Sequence, residues 1–171
     1  MNKDVQTLGE ERQNAHPNGT PRYYDNPNVE DTIGIAGELK FAERYGLKID
    51  DSIRPDGDGH VDFMVGVTIK DKDYTISIDV KTAQKAYNLL IKDFEIAVCS
   101  DILVLAMYKD GEVTLLGWET RPVMAKQPTK VFSSLGINNY YLSKSKLRTM
   151  EALDEIMAGA VQIETKRFDN E

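Results

Sequence analysis

Three short triplets place an acid two residues before a lysine: Glu38-Leu39-Lys40, Asp79-Val80-Lys81 and Glu164-Thr165-Lys166. On an extended strand, residues two apart project to the same side, so such a triplet sets a carboxylate beside an ammonium. The carboxylate is a hard oxygen ligand for a divalent cation. The ammonium can orient a water or steady a developing negative charge. On a solvated strand the same two groups form an exposed ion pair worth at most about 1 kcal/mol. The triplet alone favours that plain reading, and its surroundings must decide between the two.

Only the middle triplet has a strand pattern around it. Residues 61–69 alternate, with Val61, Phe63, Val65, Val67 and Ile69 on one face and His60, Asp62, Met64, Gly66 and Thr68 on the other. Residues 74–81 alternate in the same way, with Tyr74, Ile76, Ile78 and Val80 against Thr75, Ser77, Asp79 and Lys81. The polar KDKD stretch between them marks a turn. In an antiparallel hairpin opposed residues share a face, so Asp62, Asp79 and Lys81 fall on one side. A two-residue turn at Asp71-Lys72 pairs position 62 with 81 and 64 with 79. Asp62 and Asp79 then lie on a diagonal of roughly 7–8 Å, within reach of one cation.

Upstream, a helix is expected from Asp31 to Tyr45, capped by Asp31 or Thr32 and ended by Gly46. Ile35, Leu39 and Ala42 form its apolar stripe, and Glu38 lies beside Phe41 and Tyr45. The loop DDSIRPDGDGH leads into Asp62. Downstream, residues 87–91 read as a short strand, and Lys92–Val98 is open between helix and loop. Residues 102–108 and 113–118 form a second hairpin across Asp110-Gly111, a strong turn signal. Leu147, Met150, Leu153 and Met157 recur at helical spacing and predict a closing helix over 144–158.

This order of a helix Glu, a hairpin Asp and an acid-x-Lys strand resembles the PD-(D/E)xK nuclease superfamily. The matching residues are Glu38 in AGELKFAERYG, Asp62 in PDGDGHVDFMV, and Asp79 with Lys81 in ISIDVKTAQ. The resemblance is clearest over residues 34–82 and extends through SDILVLAMYKDGEVTLLGWETRPVM to the closing helix. Val61, not proline, precedes Asp62; the literal Pro-Asp pair is Pro55-Asp56. Asp62 is favoured because it lies in the alternating strand, with Asp56 or Asp58 as substitute ligands.

The resemblance implies an α/β fold, a restriction endonuclease-like three-layer core with a mixed central β-sheet flanked by α-helices. It implies a divalent-metal-dependent nuclease that hydrolyses phosphodiester bonds in DNA, an endodeoxyribonuclease. Mg²⁺ is the expected cofactor, Mn²⁺ its substitute, and Asp62, Asp79 and Glu38 the ligands. The cation neutralises charge building on the phosphate and generates the nucleophilic water. Lys81 orients or deprotonates that water and stabilises the transition state. His60 and Gln84 are auxiliary candidates, with loop-end hydrogen bonding as the plainer reading of His60, and Thr82 resembles Gln84 in its placement.

The chain has 171 residues, 41% hydrophobic and 29% charged, an ordinary globular composition that suits one domain. We divide it into a polar N-terminal arm over 1–31, with Tyr23 and Tyr24 as anchors, and a nuclease-like domain over 32–171. No run is long and apolar enough for a membrane span, and the MNKDVQTLGEERQ start is not a signal peptide. A cytoplasmic protein is expected. Cys99 is the only cysteine, which rules out an intrachain disulfide, and it reads as a small core residue. Trp118 also reads as core. The net charge of −7 argues against a wholly basic nucleic-acid surface but allows a local one. Lys81, Lys85, Lys92, Lys126, Lys130, Lys144, Lys146 and Arg148 read individually as solvated cations. The competing function is a catalytically inactive nuclease-fold module that binds nucleic acid or a protein. RNA is an open alternative to DNA, and junction cleavage would call for a homodimer.

Overall fold

The computed structural model of the chain describes residues 27–49 and 61–164. Helix α1 spans Pro27–Tyr45 and is followed by the hairpin β1 (Phe63–Ile69) and β2 (Lys72–Ala83). Next come β3 (Asn88–Lys92), a 3₁₀ turn at Asp93–Glu95, β4 (Ile102–Lys109) and β5 (Glu112–Thr120). The short helix α2 (Arg121–Met124) leads to β6 (Thr129–Val131) and β7 (Asn138–Ser143). A 3₁₀ turn at Lys144–Lys146, helix α3 (Met150–Met157) and β8 (Val161–Gln162) complete the order.

Five strands form a mixed sheet in the order β5-β4-β2-β1-β8. β2 runs parallel to β4, and the other neighbours are antiparallel. A parallel pair requires a long crossover, and residues 84–101 supply it. Within this crossover, β3 pairs with β7, and β7 with β6, to make a second, three-stranded sheet.

The alternation seen in the sequence sorts the core into two layers. Phe63, Val65, Val67, Ile78, Val80, Ile102 and Val104 meet Phe41 and Ala42 of α1 and Met150, Leu153 and Met157 of α3. On the other side, Leu103 and Leu105 meet Leu89, Ile91, Leu142 and Met124. The architecture is mixed α/β in three layers, but helices cover only one face of the large sheet. The small sheet, with α2, covers the other. The crossover forms a strand there because Leu89 and Ile91 alternate with residues that Tyr141 and Asn139 of β7 oppose.

Helix α1 begins four residues earlier than expected, so the proposed boundary at residue 31 falls inside a helix. A proline at the first helical position removes no intrahelical hydrogen bond. Gly46 ends the helix at φ +65°, as the sequence predicts. Leu39 is exposed rather than part of the apolar stripe; Ile33, Ile35, Glu38, Phe41 and Ala42 are buried instead. The closing helix is shorter than expected. Thr149 caps it by accepting the Ala152 amide, and Arg148 pairs as a strand with Trp118, which pulls Leu147 out of the helix. Trp118 and Cys99 are buried, and the Trp118 indole donates to the Thr149 carbonyl at 2.8 Å. No helix among the described residues is long and apolar enough to cross a membrane.

Candidate functional site

The turn between β1 and β2 lies at Lys70-Asp71, where both residues take positive φ, 48° and 62°. That is the backbone of a type I′ hairpin turn, whose twist matches the strands it joins. The turn sits one residue earlier than expected from the sequence, which changes the register by two. Phe63 pairs with Ile78, the last step of the paired register, so Asp62, just before the strand, falls beside the Ile78–Val80 stretch of β2 that carries Asp79 instead of on the expected diagonal. The shared face is unaffected, because a two-residue change preserves parity.

Asp62 sits at the mouth of the hairpin. Its amide donates to the Ile78 carbonyl at 2.9 Å, and its Oδ2 accepts the Val80 amide at 2.7 Å. The carboxylate thereby extends the ladder one step beyond the strand and is fixed against β2.

Asp79 is 5% exposed, a depth at which an ionised carboxylate needs compensation. Lys81 supplies it: its Nζ lies 2.7 Å from Asp79 Oδ2. That is the distance of a charge-assisted hydrogen bond, and the two groups form a tight, largely buried ion pair. In the parallel register Asp79 lies beside Leu103, and Lys81 beside Leu105. Both side chains therefore point towards the small sheet, away from α1.

A third carboxylate, outside the acid-x-Lys pattern, reaches this face. Glu95, in the 3₁₀ turn after β3, is 7% exposed and lies 3.4 Å from Lys92 Nζ. Burial pulls the Lys81 ammonium towards neutrality, but Asp79, then Asp62 and Glu95, outweigh it and hold the Lys81 pKa above its ordinary value. In sequence Glu95 lies in the stretch open between helix and loop, with no periodicity to orient it. Its position between apolar Phe94 and Ile96 is the signal that was available.

Glu38 is buried on α1, and that helix packs on the opposite face of β2. Gly37, its neighbour, is pressed against the Thr82 side chain so closely that an added Cβ would overlap Thr82 Oγ1. Thr82 thus belongs to the helix–sheet contact, not to the face that bears Lys81. Gln84 is exposed at the end of β2. His60, Asp56, Asp58, Tyr23 and Tyr24 lie outside the described residues. Among the described residues, no three His, Cys, Asp or Glu side chains form a group spaced to hold one metal ion. Glu38, Asp62 and Asp79 therefore do not make such a set here.

The arrangement can bind a cation or anchor an anion. Asp62 and Asp79 offer neighbouring carboxylates, oxygen ligands of the kind a hard divalent ion takes. Lys81, one-third exposed at its side chain, presents a fixed positive charge. Comparison with protein-family models, with curated proteins and with solved structures finds no match.

Proposed function

We propose that this chain is a divalent-metal-dependent nuclease that hydrolyses phosphodiester bonds in DNA, with a restriction endonuclease-like core of the PD-(D/E)xK type. The observation that carries this reading is the register that sets Asp62 beside the stretch of β2 that carries Asp79, with Lys81 on the same face. The helix, acid-bearing hairpin and parallel neighbour strand occur in the order that such a core requires.

Asp62 and Asp79 are the residues to hold Mg²⁺ or Mn²⁺, with Glu38 retained as a candidate only by resemblance. Such an ion, when bound, supplies a Lewis acid for the phosphate and a water of lowered pKa. Lys81 keeps the role the sequence suggests. Beside Asp79 and Asp62 it is placed to orient the attacking water or help deprotonate it, and to stabilise charge on the phosphate. Asp62 fixes the mouth of the hairpin through the Val80 amide and keeps its carboxylate beside β2.

The test is cleavage of supercoiled, linear, single-stranded and four-way-junction DNA in Mg²⁺, Mn²⁺ or EDTA, by wild type and Lys81→Ala. Metal-dependent cleavage lost in the variant is the expected result. No cleavage with either metal, or equal cleavage by the variant, overturns the proposal. The second reading is a nuclease-fold binding module without catalysis. The Asp79–Lys81 ion pair favours it, since a carboxylate neutralised by its own neighbour can be wholly structural.

A further inference from the structure

The charge of the chain is unevenly placed. Residues 121–149 contain six basic residues, Arg121, Lys126, Lys130, Lys144, Lys146 and Arg148, and no acid. Removing those six from the 21 basic residues leaves 15 against all 28 acids, so the rest of the chain carries −13. This basic segment builds α2, β6, β7 and the turn after β7. Arg121 pairs with Asp101, and Arg148 with Glu119. Lys126, Lys130, Lys144 and Lys146 are all exposed, and none has an ion-pair partner among the described residues.

The same small sheet presents aromatic rings beside its cations. Leu89 and Ile91 point into the core, so Leu90 and its partner Tyr141 take the other side of the sheet, where Asn139 is buried with its amide donating to the Ile137 carbonyl and Lys92 is held by Glu95. Lys130, opposite Asn139, joins the outer face. Phe132 packs edge-on against Tyr141 at 5.3 Å, with Lys130 Nζ 5.6 Å from the Phe132 ring. At the other end of β7, Tyr87 is 63% exposed beneath Lys144 Nζ at 5.8 Å. About 14 Å of strand separates Asn139 from Ser143 along β7. Two aromatic platforms therefore flank β7, with Lys130 on β6 beside one and Lys144 in the turn after β7 beside the other, both without an acidic partner among the described residues.

We propose that the outer face of the β3-β7-β6 sheet binds single-stranded DNA. The lysines neutralise phosphates, and Phe132, Tyr141 and Tyr87 stack exposed bases. Charge complementarity selects a polyanion, and the rings select one whose bases are unpaired. A duplex hides those base faces. The choice of DNA over RNA rests on the nuclease reading; the binding surface itself does not.

The test is fluorescence anisotropy of the full chain with a short labelled oligo(dT), in EDTA so that cleavage plays no part. Binding that weakens with salt at a log–log slope of about −3 is expected for four lysines on a single strand. Lys130→Ala with Lys144→Ala reduces that slope by about 1.4. Phe132→Ala or Tyr87→Ala weakens binding about fivefold or more with little change of slope. Lys40→Ala, on α1, changes neither. All four positions are exposed, and unchanged circular dichroism confirms folding. No binding, or binding indifferent to these substitutions, overturns the proposal. Tighter binding of duplex DNA or of oligo(U) overturns the assignment to single-stranded DNA. Because EDTA removes the metal, failure here is separable from failure of the cleavage assay.

Discussion

Asp79 and Glu119 occupy the same row of the large sheet, on the same face, with Leu103 between them. Both are 5% exposed, and each has a basic partner. Their surroundings differ. Glu119 Oε1 accepts from Arg148 Nε at 2.9 Å and from the Thr120 amide at 2.8 Å. Asp79 Oδ2 meets Lys81 Nζ at 2.7 Å, and two more carboxylates, Asp62 and Glu95, act on that same lysine. One buried acid is held by an arginine and the next backbone amide, while the other shares its lysine with two further acids. On the proposed function the first pair is structural and the second is poised for a ligand, at equal depth.

Function should separate them most widely. Lys81→Ala lowers metal-dependent cleavage by about 10²–10³-fold, while Arg148→Ala leaves it within a few-fold, both read from initial rates on the preferred DNA. Equal losses would erase the distinction. Stability should separate them in the opposite sense. Glu119→Gln costs about 1–3 kcal/mol in urea unfolding, because Arg148 and the Thr120 amide lose a charged acceptor. Asp79→Asn changes stability by less than about 1 kcal/mol, because Asp62 and Glu95 remain to balance the partly exposed Lys81. A large loss from Asp79→Asn would show that the poised pair is structural after all.

A third carboxylate sharpens the scale from the solvent side. Asp154 accepts from Arg44 Nε at 2.8 Å and Nη2 at 2.7 Å, and from the Tyr45 hydroxyl at 2.8 Å, on the exposed side of α1 and α3. These hydrogen bonds, from Arg44 first and then Tyr45, hold its pKa below the ordinary carboxylate range. A lowered pKa gives stability that is present above the unfolded value, near pH 4, and lost as pH falls through the folded one. Asp154→Asn should therefore flatten the acid limb of a thermal-denaturation profile below about pH 4. At neutral pH it should cost at most about 1 kcal/mol, since the pair is in water.

The shared face of Asp62, Asp79 and Lys81 was legible because alternation fixes parity without knowledge of the turn. The register was not, because Lys70-Asp71 contains no glycine to announce positive φ, whereas Asp110-Gly111 did so for the second hairpin. There Gly111 takes φ 80°, and the strands fall where the apolar runs place them. β6 and β7 escaped notice because TKV and NNYYLS carry no regular alternation. Without them, neither the second layer nor the position of Glu95 could be foreseen. Glu38 was singled out from chain order alone. The helix that carries it is set against β2 by the close approach of Gly37 to Thr82, a tertiary fact.

The two-residue turn at Lys70-Asp71 also bears on the order of events during folding. Asp62 and Asp79 are brought together by one local hairpin, a structure that closes on the order of microseconds. The partners that complete their surroundings arrive through slower, non-local pairing: β2 with β4 across the crossover, and β3 with β7 from late in the chain. The acidic pair thus depends on a local contact, while the wall that encloses it depends on strands far apart in the chain.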